Sequence, residues 1–215
     1  MRIDRRTGKY DRAFARRQER GFSLVELLVV CIVVVIISAI AIPNILQMNT
    51  NYKLDAAGHS LASMLQQARM QAVKTNQPTY AKFDTSSSMA YVTNDPSSAF
   101  ASGNPDVSLA GGISFQASTP ANFHDQLDAY VGATTGSPAQ IAGNIGFNAR
   151  GLPCIANSTN AAVCTSSTTG FEWFVQNSNG GWEAVTVTPA GRVKSWRLSK
   201  PSGGTAVCGF AACWL

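Results

Sequence analysis

Charge and histidine are scarce in this 215-residue sequence. Only 13% of the residues are charged and only two are histidine. No G-x-S-x-G elbow, phosphate-binding loop or dinucleotide fingerprint occurs, so hydrolase, nucleotide and nicotinamide chemistry have no motif to rest on. His124 has Asp125 and Asp128 close by in sequence, but three polar residues in such a stretch read as a solvated loop rather than a catalytic constellation. No enzymatic activity, cofactor or metal is expected. Low charge combined with 45% hydrophobic residues argues against intrinsic disorder. A mean hydropathy of +0.01 argues against a polytopic membrane protein. The length accommodates one or two domains with a sizeable core.

What charge there is sits unevenly. Residues 1–21 hold eight basic residues (Arg2, Arg5, Arg6, Lys9, Arg12, Arg16, Arg17, Arg20) against Asp4, Asp11 and Glu19, a balance of +5. The whole chain carries 17 basic and 12 acidic residues. The remaining residues therefore carry nine of each and sum to zero. The basic character belongs to the leader, and a nucleic-acid reading of the rest must come from local charge.

An apolar run follows the leader. From Leu27 to Ile42 the only polar side chain is Ser38. Phe22 to Ile42 as helix would span roughly 31 Å at about 1.5 Å per residue, matching a hydrocarbon core of about 30 Å. The cationic flank precedes it, so the positive-inside rule places the N-terminus in the cytoplasm and the rest outside. A secretory signal peptide is the rival, but the run is long for an h-region and no small-x-small site closes it. Cys31 is not a lipoprotein anchor, because Val30 before it is not small. Glu26 is the odd residue. A carboxylate within an apolar helix calls for a cationic partner at the same depth, and cleavage after Gly21 would create one, the amine of Phe22.

Gly21-Phe22-Ser23-Leu24-Val25-Glu26-Leu27 resembles the processing site of type IV prepilins. The resemblance implies cleavage between Gly21 and Phe22 by a prepilin peptidase, methylation of the Phe22 amine, and a role for Glu26 in setting subunit register. Pro43 falls where pilins commonly carry a helix-kinking proline. The leader is long for the family, which implies a minor subunit or pseudopilin.

Beyond Pro43, Leu54, Ala57, Leu61, Met64, Ala68 and Ala72 recur at helical spacing, widened by Leu65 and Val73. Asn76 and Pro78 mark the end. The expected organisation is a leader over 1–21, a transmembrane or filament-core helix over 22–42, an amphipathic continuation over 43–76 and a β-rich domain over 77–215. Strands are predicted at Thr79–Phe83, Ala90–Thr93, Ile113–Phe115, Phe171–Val175, Trp182–Thr188 and Arg192–Leu198. Asn177–Gly181 and Thr188–Gly191 read as turns joining the last three into a meander. Ser97 to Thr169 reads as mostly loop with short strands. This order resembles the GspH/FimT group of minor pilins and pseudopilins, supported by Ile145–Gly151 and by Val185–Val193. The resemblance implies an α+β fold, a long N-terminal helix packed on a C-terminal antiparallel sheet domain.

Cys31 reads as an apolar filler. The other four cysteines fall outside the membrane, where disulfides persist. Three connectivities are open. Local pairs, Cys154–Cys164 and Cys208–Cys213, are preferred because each closes a loop of little apolar content. Zinc is the alternative, disfavoured by the spacing and by the lack of a nearby histidine.

One local charge cluster remains: Arg192, Lys194, Arg197 and Lys200, with no acid after Glu183. If 192–198 is a strand, Arg192, Lys194 and Trp196 share a face. Two cations beside an aromatic suit phosphate contact with stacking or cation–π support, and Arg150 on another turn would add to the patch. The ordinary reading is an edge strand protected by charge, with Trp196 facing the core. Gly191-Arg192-Val193-Lys194 resembles the G-R-x-K motif of the FimT branch, which implies DNA binding in natural transformation. The expected partners are other pilin or pseudopilin subunits, the peptidase, the inner membrane and DNA. A GspH-like pseudopilin of a type II secretion system is the alternative, and a membrane-anchored enzyme or receptor that keeps its apolar segment uncleaved is a third.

Overall fold

The computed structural model describes residues 23–84, 86–116, 125–132, 140–141, 144–156 and 163–198. The chain divides into two units, Met1–Pro43 and Asn44–Leu215. Helix α1, Leu24–Thr75, starts in the first and continues through the second. Proline costs one backbone hydrogen bond but does not by itself end a helix, and α1 runs on beyond Pro43. Its end falls at Asn76, whose φ of 53° is the left-handed conformation that asparagine tolerates after a helix.

In the first unit every leucine, valine and isoleucine from Leu24 to Ile42 is exposed. This segment is long and apolar enough to cross a membrane. In the second unit α1 is amphipathic. Leu54, Ala57, Leu61, Met64, Leu65, Ala68 and Ala72 are buried, as the spacing predicts, but Val73 is 52% exposed and lies outside the stripe.

The second unit is built on two sheets. The first has six strands: β1 (Thr79–Asp84), β2 (Met89–Thr93), β3 (Asp106–Ser108), β6 (Asn144–Phe147), β7 (Pro153–Ala156) and β8 (Cys164–Ser166), in the order β3-β2-β1-β6-β7-β8. The second runs β11-β10-β9-β4, from β4 (Ile113–Gln116), β9 (Phe171–Asn177), β10 (Trp182–Val187) and β11 (Val193–Arg197). The two-residue β5 (Gln140–Ile141) pairs with β9 in parallel. A six-residue helix, α2 (Asp125–Tyr130), lies between β4 and β5 in the chain.

Alternation along the strands sends one face of each sheet to α1. Ala81, Val92, Ile145 and Phe147 from the first sheet, and Phe171, Trp173, Val175, Val185 and Val187 from the second, join the helix stripe in one core. Phe83, Phe115 and Trp173 bridge the sheets by ring contacts, the first two stacked at 4.4 Å. The opposite face of the second sheet carries a smaller core of Leu127, Phe174, Ala184, Trp196 and Leu198. The chain is α+β, with strand neighbours antiparallel apart from β5.

The last three strands form the expected meander. One glycine in each turn takes positive φ, Gly180 at 73° and Gly191 at 77°. The first turn also reaches the helix, with Asn177 Nδ2 donating to Asn51 Oδ1 at 3.2 Å and Asn179 Nδ2 to Thr50 Oγ1 at 2.6 Å. The middle of the chain holds short strands among its described residues, as expected: β3, β6, β7 and β8 in the first sheet and β4 and β5 in the second, with α2 as a helix the sequence did not announce.

Candidate functional site

The β10–β11 hairpin carries the basic cluster. Its turn closes through Gly191 N donating to Thr188 O at 2.7 Å and Thr188 N donating to Arg192 O at 2.9 Å. Arg192 N also donates to Thr188 Oγ1 at 3.1 Å. Arg192 therefore belongs to the turn rather than to the strand, and its side chain is exposed. The strand begins at Val193, paired with Val187.

Period-two alternation then separates the remaining cluster. Lys194 and Trp196 share the outer face of the sheet, the one bearing the smaller core. The Lys194 ammonium sits 3.4 Å from the centroid of the Trp196 ring and 6.0 Å from that of Tyr130. Trp196 is buried and donates its indole N–H to Thr186 Oγ1 at 2.8 Å. Its ring meets Tyr130 edge-on at 4.8 Å. The expected stacking platform for a base is thus closed: Trp196 is core, with one ring face taken by Lys194. Arg197 is exposed but falls on the other face, opposite Glu183. The expected patch of one strand face is therefore divided among the turn and two faces. Lys200 lies outside the described residues.

Two buried acids lie in and beside this hairpin. Glu183 packs on Gly58 of α1, where any Cβ would overlap its carboxylate. Burial pushes its pKa up to about 8, reinforced by Asp55 and opposed by Arg197. Glu172, on β9, is fully buried and neither carboxylate oxygen has a hydrogen-bond partner. Burial, then the charge of Asp128, pushes it up to about 8. Neither residue stood out in the sequence, because a strand acid ordinarily faces water.

Ser195 Oγ lies 3.3 Å from His59 Nδ1, and His59 Nε2 lies 3.8 Å from Asp55 Oδ1. The three residue types are those of a hydrolase triad, but the second distance exceeds hydrogen-bond range. The His59 and Asp55 side chains are 69% and 42% exposed. Open to water and without an aligned carboxylate, this line does not make an activated nucleophile. Among the described residues no group of acids, histidines and cysteines could hold a metal.

Cys154 and Cys164 form a disulfide, which excludes them from a zinc site. Cys31 is a free thiol on the exposed apolar part of α1. Glu26 sits in the first turn of α1. Gly21, Phe22, His124, Cys208 and Cys213 lie outside the described residues.

Residues 16–42 match the prokaryotic N-terminal methylation motif, and residues 57–191 match the family described as type II transport protein GspH. The chain belongs to the GspH family. It is thereby a member of the minor pilins and pseudopilins, as the GspH/FimT resemblance implied. No curated protein matches the chain. Among solved structures it is similar to the type IV minor pilin FimU of Pseudomonas aeruginosa strain PAO1. That likeness has 14% identity and a TM-score of 0.43, covering 66% of this chain and 91% of that one. It is also similar to the minor pseudopilin EpsH from the type 2 secretion system of Vibrio cholerae. There the identity is 10% and the TM-score 0.40, covering 67% of this chain and 97% of that one.

Proposed function

We propose that this GspH-family chain is a minor type IV pilin, a non-enzymatic filament subunit that also binds DNA in natural transformation. The observation that carries the reading is the N-terminal pairing of a methylation motif over residues 16–42 with an apolar helix segment whose leucines, valines and isoleucines are exposed from Leu24 to Ile42. Such a helix needs lipid or neighbouring subunits around it. The basic leader keeps the N-terminus in the cytoplasm, and the β-rich domain stands outside the inner membrane. Cleavage falls between Gly21 and Phe22, the Phe22 amine is methylated, and Glu26 pairs with a neighbour's amine to set register. Arg192 and Lys194 face incoming DNA.

Mass spectrometry of the protein from a host with prepilin peptidase tests the pilin reading. The expected mass lacks residues 1–21 and carries one extra methyl. An intact N-terminus in that host overturns it. The second reading, a pseudopilin of a type II secretion system, is favoured by the type II transport family matched over residues 57–191. In that case the hairpin faces other pseudopilins or exported protein, and DNA does not bind.

A further inference from the structure

Arg192 has a neighbour that comes from the other sheet. The β6–β7 turn is fixed by Asn148, whose Oδ1 accepts from Arg150 N at 2.9 Å and Leu152 N at 3.1 Å. Gly151 N donates to Asn148 O at 2.8 Å. This turn rests against the β10–β11 turn: a Cβ on Gly191 would collide with the Gly151 carbonyl oxygen. Arg69 of α1 joins the two. Its Nε donates to Gly151 O at 2.9 Å, and the same guanidinium lies beside Gly191. Arg150 directly precedes one contacting glycine and Arg192 directly follows the other, and both side chains are exposed. Among the described residues no ion pair involves either arginine.

We infer that the two turns form one composite phosphate-binding site, in which Arg150 and Arg192 contact the backbone of double-stranded DNA. The inference rests on the DNA reading above and adds a partner to it. Guanidinium groups suit phosphate because they are always charged and donate in a planar fork. Fixed turns hold their bases in place, which limits the ordering cost of contact. Among the described residues the two turns offer phosphates charge. Trp196 is buried. The large exposed aromatics among the described residues are Tyr52 and Phe100, and Tyr52 stands about 25 Å along the helix from Arg69 at 1.5 Å per residue. On this inference the two arginines contact phosphates, so sequence and strandedness of the nucleic acid are not read through its bases.

The test is fluorescence anisotropy of the full chain in nonionic detergent with a labelled duplex of about 30 base pairs, across about 50–200 mM salt. Arg150→Ala and Arg192→Ala are each expected to reduce the slope of log K against log salt by about 0.9, and together by about 1.8. Arg150→Lys is expected to keep the slope, which separates lost charge from lost fold. An abasic single strand is expected to bind as tightly as its base-bearing counterpart. If the wild type fails to bind at low salt, the DNA reading and this inference fall together. If Arg192→Ala/Lys194→Ala abolishes binding while Arg150→Ala leaves affinity and slope unchanged, DNA binding stands and the two-turn site is overturned. Tighter binding of the base-bearing strand would overturn recognition by phosphate alone.

Discussion

Glu172 shows how one residue can set the pH response of the fold. Its carboxyl lies on the outer face of the second sheet, opposite Thr186, with Asp128 of α2 near it. A charged carboxylate there would be desolvated and unpaired, a costly arrangement. The group instead holds its proton, with a pKa lifted from 4.5 to about 8. Glu183 behaves likewise beneath Gly58. In both cases the folded state binds protons more tightly than the unfolded chain. The stabilisation is therefore complete below about pH 4.5 and is lost as pH rises through about 8. Melting temperature, followed by circular dichroism, is expected to fall from mildly acidic to alkaline pH. Glu172→Met should flatten that fall and raise the melting temperature most above pH 8, because an apolar side chain of similar volume has no charge to bury. A pH profile unchanged by the substitution would exclude this role for Glu172.

At the scale of elements, the clearest local device is the Cys154–Cys164 bridge. It joins β7 to β8, with Cα atoms 5.3 Å apart and a separation of 10 residues. The short β8 ends the first sheet, where its strand partner is β7. Closing a loop of this length stabilises by about 3 kcal/mol on the chain-entropy account. Cys154→Ala/Cys164→Ala is expected to lose about that much in urea unfolding, and reductant is expected to weaken the wild type to the same extent. Equal midpoints for variant and wild type would contradict it.

Which elements the sequence reveals follows from how local their signals are. The α1 stripe from Leu54 to Ala72 needs only helical spacing, and the β9–β11 meander needs only alternation and two glycine turns. The division into two sheets is set by pairings far apart in sequence, such as β1 with β6, which no local pattern encodes. Strands of three or four residues, such as β3 and β8, show too few alternations to stand out, and α2 is shorter than two helical turns. The candidate site divides the same way. Period two places Lys194 beside Trp196, but the packing of Leu127 and Tyr130 from α2 against Trp196 closes that face. Arg69, seated between two turns from different sheets, has no local signature at all.

At the scale of the whole molecule, the chain combines a helix segment with no internal cover and a domain with its own cores. Glu26 is the one ionisable side chain from Leu24 to Ile42 other than the thiol of Cys31. Glu26→Ala removes a charge, so insertion into a bilayer is expected to be retained or improved, while incorporation into filaments is lost. Cell fractionation would measure the first and sheared-filament yield the second. Normal incorporation of the variant would rule out a register role for Glu26.

The exposed leucines, valines and isoleucines of α1 also restrict how the subunit can travel. Each such side chain favours an apolar surrounding over water by about 1.5–3 kcal/mol. Over the stretch from Leu24 to Ile42 the total is on the order of 20 kcal/mol or more, beyond the roughly 5–15 kcal/mol that holds a typical domain folded. Passage through free solution is therefore closed to this subunit. Leaving the bilayer requires a sideways hand-over, in which each turn of helix meets a receiving protein surface as it sheds lipid. A machine that moves this chain has to touch the membrane and the growing assembly at the same moment.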